Sequence, residues 1–374
     1  MPKLKLIIVV GTRPEIIRLV EIIKLADQLF HTVLVHTGQN YDYELNEIFF
    51  KDLGLRAPDH FLEVAGNNLG DTMGNIIARS YEVFVKEKPD ALLVLGDTNS
   101  VLCTIPAKRL KIPIFHMEAG NRCFDQNVPE ETNRRISDHI SDINLAYTEH
   151  ARRYLLSEGF RKDHVFVSGS PLYEVLKKNE KNIEASNILN ALDLTAEKYF
   201  VVSAHREENV DSAGSLKNII ESINEVAGQY QMPVIFSTHP RTQKKIDAEK
   251  ISFHPLVKIM KPFGLFDYLK LQKNALCVLS DSGSVSEEAA MLNFKAISMR
   301  TSTERPEAID AGTIILGGVT PGSVLNSIGI VLQTHSNNKV QVPDEYLVQN
   351  VSVRIIRIIQ SYTPIINKVT WGKS

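Results

Sequence analysis

HMEAGNRCFDQNVPEETNRR (116–135) gathers His116, Glu118, Arg122, Asp125, Glu130, Glu131, Arg134 and Arg135 into one short stretch. An apolar run, IPIF (Ile112 to Phe115), leads into it and reads as a buried parallel strand. Unpaired charges are too costly to bury, so these groups are expected to line a cleft or to lie in water. In sheets built from alternating strands and helices, ligands bind in the loops that leave the carboxyl ends of strands. That placement favours the cleft.

The same pattern recurs on either side. LKLIIVV (4–10) is a β-rich run followed by GTRPE (11–15) and an apolar-periodic helix, IIRLVEIIKLADQL. Gly11 permits a tight turn and Pro14 suits a helix start. Such a start offers N–H groups and partial positive charge to an anion. Arg13 either adds a cation there or salts the helix terminus. TVLVHTGQNYDYELNEIFF (32–50) and DALLVLGDTNSVLCTIPAKRL (90–110) repeat strand, polar loop and helix. Asp97 either caps its helix or faces the same cleft as His116 and Glu118. Residues 1–170 thus read as one doubly wound α/β domain.

Residues 177–198 are polar and read as a surface helix and junction. A second α/β series follows, over about 171–350, and VSVRIIRIIQSY (351–362) reads as a closing helix. CVLS (277–280) runs into DSGSVSEEAA, where Ser282, Gly283 and Ser284 form a nest suited to phosphate, with Glu287 and Glu288 one turn on. Ser284 and Glu287 are also spaced as a capping box. SAHREEN (203–209), STHPRT (237–242) and TSTERPEA (301–308) each follow an apolar strand. Arg13, Arg206, Arg241 and Arg305, with His205 and His239, could together hold a diphosphate.

Composition bounds the alternatives. The 374 residues are 43% hydrophobic and 23% charged, with a formal net charge of -2, so no global field draws nucleic acid or an anionic membrane. Cys103, Cys123 and Cys277 are far apart, which argues for a reducing cytoplasm and against a disulfide framework or zinc site. MPKLKLIIVVGTRPE reads as a first strand and not an export signal, and no run approaches the ~20 apolar residues of a membrane span. No G-x-G-x-x-G, phosphate-loop or G-x-S-x-G motif is present. His116 and Glu118 have no third partner to suggest a metal.

GTRPE (11–15), GDT (96–98), HMEAG (116–120), PEETNR (129–134), SAHREEN, DSG (281–283) with Glu287–Glu288, and TERPEA (303–308) together resemble the non-hydrolysing UDP-N-acetylhexosamine 2-epimerases. The resemblance spans nearly the whole chain. It implies two Rossmann-like domains facing across a cleft as in GT-B glycosyltransferases, with the C-terminal helix returning to the first. It also implies a homodimer, a UDP-sugar substrate, and no required metal or nicotinamide. By the same resemblance Asp97, Glu118 and Glu130 are the catalytic carboxylates. His205 is an acid or electrostatic helper near the phosphates, and Arg13 and Arg134 support catalysis or hold substrate. Ser282 and Gly283 match the diphosphate nest, and Glu288 the ribose-binding carboxylate. Ser284, Arg206, His239 and Arg305 join the expected UDP site.

The chain also departs from the common UDP-N-acetylglucosamine 2-epimerases. Arg18 replaces a usual Lys, Tyr41 and Asp42 replace a basic pair of an allosteric second site, and Glu207 replaces an Arg. The loop GNRCFDQNVPEE is shorter by two residues and carries Cys123 and Phe124. These features are similar to the branch that makes UDP-N-acetyl-L-fucosamine from UDP-2-acetamido-2,6-dideoxy-L-talose for capsule and O-antigen. The alternatives are UDP-N-acetylglucosamine epimerisation and, in another class, a GT-B glycosyltransferase.

Overall fold

The computed structural model describes residues 3–39, 49–210, 212–335 and 341–373, apart from the side chains of 207, 208, 213, 240 and 241. Tyr41 and Asp42, and the side chains of Glu207 and Arg241, lie outside the described residues. The chain divides into two compact units. The first holds Met1–Arg122, Pro129–Lys178 and Leu347–Ser374, and the second Cys123–Val128 and Asn179–Tyr346.

Among the described residues the first unit is built on seven parallel strands in the order β3-β2-β1-β4-β5-β6-β7. They are β1 (Lys5–Val10), β2 (His31–His36), β3 (His60–Phe61), β4 (Ala91–Leu95), β5 (Ile114–Met117), β6 (Ile143–Ala146) and β7 (Val165–Val167). Ile8 pairs with Leu34 on one side and Leu93 on the other, which makes β1 an interior strand. A parallel sheet is covered on both faces, so its strands are continuous apolar runs and not alternating ones. One face packs Ile7, Val35, Leu92 and Ile114 on Ile76 and Phe84 of the helix Leu69–Glu87. Strand order reverses direction between β1 and β4, and this topological switch is where such sheets bind ligands.

The second unit has six parallel strands in the order β10-β9-β8-β11-β12-β13. These are β8 (Phe200–Ala204), β9 (Val234–Thr238), β10 (Val257–Met260), β11 (Cys277–Ser280), β12 (Ala296–Ser298) and β13 (Ile315–Leu316). On one face Val202, Phe236 and Leu279 meet Ile219, Ile223 and Ile328. On the other, Val201, Ile235 and Val278 meet Leu271, Val285 and Ala289. Its switch lies between β8 and β11. Two parallel-sheet α/β units of this kind are the GT-B-like architecture expected from the sequence.

Two expectations need correction. The strand read at Ile112–Phe115 instead covers Ile114–Met117. Pro113 has no N–H to give a ladder, and His116 enters the strand because its ring finds partners inside. The polar stretch 177–198 forms two short helices, Glu180–Ala185 and Ile188–Ala191, rather than one.

The last helix, Val351–Val369, buries Ile355, Ile356 and Ile359 and packs on the helix Arg13–Leu29 of the same unit. Buried Glu174 accepts from the Ser352 N–H at 2.9 Å and from its hydroxyl at 2.7 Å, which satisfies a donor in the helix's first turn. Among the described residues no helix is long and apolar enough to cross a membrane.

Glu174→Ala strips both Ser352 donors of that acceptor. The expected cost is about 1–3 kcal/mol, read as a lower urea midpoint at unchanged slope. A midpoint equal to that of the parent chain would show that Glu174 does not anchor the last helix.

Candidate active site

At the switch of the first unit, a carboxylate organises the turn after β1. Glu15 is buried, and its Oε2 accepts from the Gly11 N–H at 2.6 Å and the Thr12 N–H at 2.8 Å. Its Oε1 accepts from the Thr98 hydroxyl at 2.7 Å and from the Ser100 hydroxyl. Burial pushes the Glu15 carboxyl upward, against the four hydrogen bonds that favour its charged form. The helix start that the sequence offers to an external anion therefore holds one of the chain's own. Arg13, next to it, lays its guanidinium over the Phe49 ring, 5.6 Å from the centroid.

The loop after β4 carries Asp97. Arg134 donates to Asp97 Oδ2 from Nη2 at 2.6 Å and from Nε at 3.1 Å, and to Glu131 Oε2 from Nη1 at 2.8 Å. Arg134 is 1% exposed and Glu131 fully buried. Asn133 donates to the Asp97 carbonyl at 3.1 Å. Glu118 sits beside this loop, since a Cβ built on Gly96 would lie 3.9 Å from Glu118 Oε2. The same oxygen is 3.9 Å from Arg18 Nη1, and the Arg18 guanidinium stacks over Tyr147 at 5.7 Å. Glu118 has φ +63, a left-handed backbone that a glutamate adopts only under constraint. Glu130 is half-buried in the first turn of the helix Pro129–Ile140.

The expectation that the charges of 116–135 avoid the core is overturned for four of them. His116, Arg122, Glu131 and Arg134 are buried, because each is paired. His116 Nδ1 is 2.9 Å from Asp138 Oδ1 and its Nε2 is 2.7 Å from the Gly96 carbonyl. Arg122 donates to Asp138 at 2.7 Å and forks onto Glu158 at 2.8 and 2.6 Å. Burial pushes the Asp138 carboxyl up, but His116 and Arg122 outweigh it and hold the group below its ordinary range. His116 is thus a framework residue.

At the switch of the second unit, Asp281 plays the part of Glu15. It is fully buried and accepts from the His205 N–H at 3.1 and 2.9 Å, the Arg206 N–H at 3.0 Å and Asn209 Nδ2 at 3.1 Å. His205 Nδ1 is 3.2 Å from Asp281 Oδ1, and its ring lies 6.5 Å from that of His239. After β11 the Ser282 and Ser284 hydroxyls face each other at 3.0 Å, and the helix Ser284–Leu292 begins behind Gly283 without a side-chain cap. Glu287 does not serve a capping box here, for its carboxylate pairs with buried Arg305 at 3.2 Å. Glu304 bridges Arg206 at 3.2 Å and Arg300 at 2.6 Å. Glu288 accepts from Gln272 Nε2 at 2.8 Å.

The structure gathers Arg18, Asp97, Glu118 and Arg134 around the carboxyl edge of the first sheet. It gathers His205, Arg206, His239, Ser282, Gly283, Ser284 and Glu288 around that of the second. Arg305 lies behind the nest, turned to Glu287. Sequence reasoning assigned no role to Glu15, Asp138 or Asp281. Asp138 had a signal, because Glu131, Arg134 and Asp138 fall at helical spacing on one buried face. Among the described residues no group of three or more His, Cys, Asp or Glu is placed to hold a metal ion.

Known proteins resemble the chain over most of its length. The family model for UDP-N-acetylglucosamine 2-epimerase matches residues 24–360. A UDP-N-acetylglucosamine 2-epimerase of Methanocaldococcus jannaschii is 39% identical over 348 residues, 90% of this chain and 94% of that protein. Among solved structures, the UDP-N-acetylglucosamine 2-epimerase from Rickettsia bellii matches with a TM-score of 0.91 at 47% identity, covering 99% of this chain and 100% of that one. The M. jannaschii enzyme in complex with UDP-GlcNAc and UDP matches with a TM-score of 0.89 at 37% identity, covering 96% and 100%.

The nest itself makes a stability prediction. A Cβ on Gly283 would lie 2.2 Å from Glu304 Oε1, and Glu304 is pinned by two arginines. Gly283→Ala is expected to cost about 1–3 kcal/mol through overpacking, measured as a lower melting temperature of the full chain. An unchanged melt would mean that the loop around Glu304 yields freely.

Proposed function

The chain belongs to the UDP-N-acetylglucosamine 2-epimerase family and is a non-hydrolysing isomerase, and from that premise we propose that it converts UDP-2-acetamido-2,6-dideoxy-L-talose to UDP-N-acetyl-L-fucosamine. The hydrogen at C2 is not acidic, since no carbonyl adjoins it in the ring. Cleavage of the C1–O bond sends its electron pair to the β-phosphate oxygen and eases loss of the C2 proton to a carboxylate. C1=C2 forms, giving a 2-acetamidoglycal and UDP. Re-addition of UDP to C1, with a proton delivered to the opposite face of C2, yields the epimer. Electrons balance without an oxidant.

In this reading Asp97, Glu118 and Glu130 exchange protons with the sugar. Arg134 holds Asp97 in place, and Arg13 and Arg18 stabilise charge near the sugar. In the second unit the Ser282–Gly283–Ser284 nest, Arg206 and His239 receive the diphosphate. His205, steadied by Asp281, assists its departure. Glu288, held by Gln272, accepts from ribose hydroxyls, and Arg305 braces the nest through Glu287.

One observation carries the choice of sugar. Phe124, in the shortened loop between Glu118 and Glu130, is 61% exposed, with half-buried Cys123 beside it. An exposed aromatic gains from contact with apolar surface, and a 6-deoxy sugar offers a methyl where glucose has a hydroxymethyl. A pocket built around that hydroxyl would penalise its absence. The second reading, UDP-N-acetylglucosamine to UDP-N-acetylmannosamine, is favoured by the substrate named for the relatives above. We place the enzyme in the cytoplasm as a homodimer supplying capsule or O-antigen synthesis. With Tyr41, Asp42 and Glu207 at positions where cations are usual, we propose that it works without an allosteric second UDP-sugar.

Incubation with each UDP-sugar in deuterated water decides between the readings. Deuterium is expected at C2 with the 6-deoxy-L-talose substrate and not with UDP-N-acetylglucosamine; the reverse pattern returns the chain to the second reading. On the active substrate, Asp97→Asn, Glu118→Gln and Glu130→Gln are each expected to lower turnover ~10²–10⁴-fold while UDP still binds. Near-normal turnover in all three would sink the carboxylate assignment.

A further inference from the structure

We propose that Asp138 is a positioning residue for the carboxylates that act on the sugar. By holding the His116 ring, the Gly120 N–H and the Arg122 guanidinium at once, it fixes where Glu118 stands relative to Asp97 and Glu130. The proposal rests on the reading of those three as the reacting carboxylates.

The geometry ties three elements at one buried group. Asp138 lies on the helix Pro129–Ile140, eight positions after Glu130. Its Oδ1 meets His116 Nδ1 at 2.9 Å, and the other ring nitrogen meets the carbonyl of Gly96, the residue before Asp97, at 2.7 Å. The ring therefore links the Asp97 loop to the Glu130 helix. Both ring nitrogens lie within hydrogen-bond reach of an oxygen. The Gly120 N–H lies 3.3 and 3.2 Å from the two carboxylate oxygens, and Arg122 Nη1 lies 2.7 Å from Oδ2. Arg122 is steadied in turn by Glu158 and by the Asn121 carbonyl.

Glu118 lies between the tied points. Its φ of +63 is a conformation that persists where the surroundings over-determine it. His116 fixes the chain two residues before it, and Gly120 and Arg122 fix it two and four residues after. Gly120 has φ +83, and a Cβ there would fall 2.4 Å from the Ala151 carbonyl, so the turn is also packed against its neighbour. Among the described residues, Asp138 Oδ1 and Oδ2 meet the His116 ring, the Gly120 N–H and Arg122 Nη1. A carboxylate satisfies all three ties, whereas an amide of the same shape must turn its NH₂ toward one of them.

Asp138→Asn in the full-length enzyme tests this, assayed with the UDP-sugar that exchanges C2 deuterium. Misplacement of a reacting group by about 1 Å can cost on the order of 10²-fold. Accordingly kcat is expected to fall ~10–10²-fold while KM and UDP affinity stay within about twofold, with a cooperative melt retained. Arg122→Lys keeps the charge but loses the planar fork. It is expected to lower kcat in the same selective way, and it decides the matter if the Asn variant does not fold. A kcat within about twofold of the parent in the folded variant, or equal losses in kcat and UDP affinity, would overturn the proposal. Glu118→Gln run alongside separates the two levels. If it retains turnover, the reading of Glu118 as a reacting carboxylate fails; if it is inactive while the folded test variant is not, the positioning role alone fails.

Discussion

A carboxylate can be buried only where donors surround it, and both units meet that constraint at the same topological point. In the first, Glu15 joins the turn after β1 to the loop after β4 through two backbone N–H groups and two hydroxyls. In the second, Asp281 joins the end of β11 to the loop after β8 through two backbone N–H groups and an amide. Each pair of strands flanks the switch where the strand order reverses. The connections that leave these paired strands diverge, and the loops lining the crevice between them have no ladder to hold them. A single buried carboxylate in each unit supplies the missing connection.

With the loops fixed, the remaining charges acquire definite places. Arg134 holds Asp97 from one side and Glu131 from the other, and the His116–Asp138–Arg122–Glu158 chain holds the turn that carries Glu118. Pairs of this kind are weak evidence for stability, because desolvation offsets much of the attraction. Their consequence here is geometric. They fix Asp97 and the turn that carries Glu118 within the first unit, and the proton exchange proposed for those carboxylates depends on their placement.

The architecture was legible because parallel strands buried on both faces leave continuous apolar runs, and CVLS, FVVSA and ALLVL stand out from their polar loops. The motifs Gly11–Glu15, Gly96–Thr98 and Asp281–Gly283 were legible as loops after strands. What the sequence hid was pairing. A run of eight titratable groups looks solvent-facing until each is matched with its partner, and those partners lie 16 to 37 positions away for Arg122–Asp138 and Arg134–Asp97. Pro113 concealed the start of β5 in the same way, since the shift of that strand into His116 depends on Asp138, far along the chain. Gln272, which holds Glu288 from a different helix, carried no local signal at all.

Cleavage of the anomeric C–O bond is the step on which the proposed epimerisation depends, and positional isotope exchange tests it directly. A UDP-sugar labelled with ¹⁸O at the oxygen bridging C1 and the β-phosphate is incubated with the enzyme, and the recovered substrate is examined by ³¹P NMR. Freed UDP can rotate its terminal phosphate before re-addition, so the label is expected to move into non-bridging positions as C2 epimerises. Epimerisation with the label retained entirely at the bridge would contradict elimination and re-addition, and with it the roles assigned to the nest and the carboxylates.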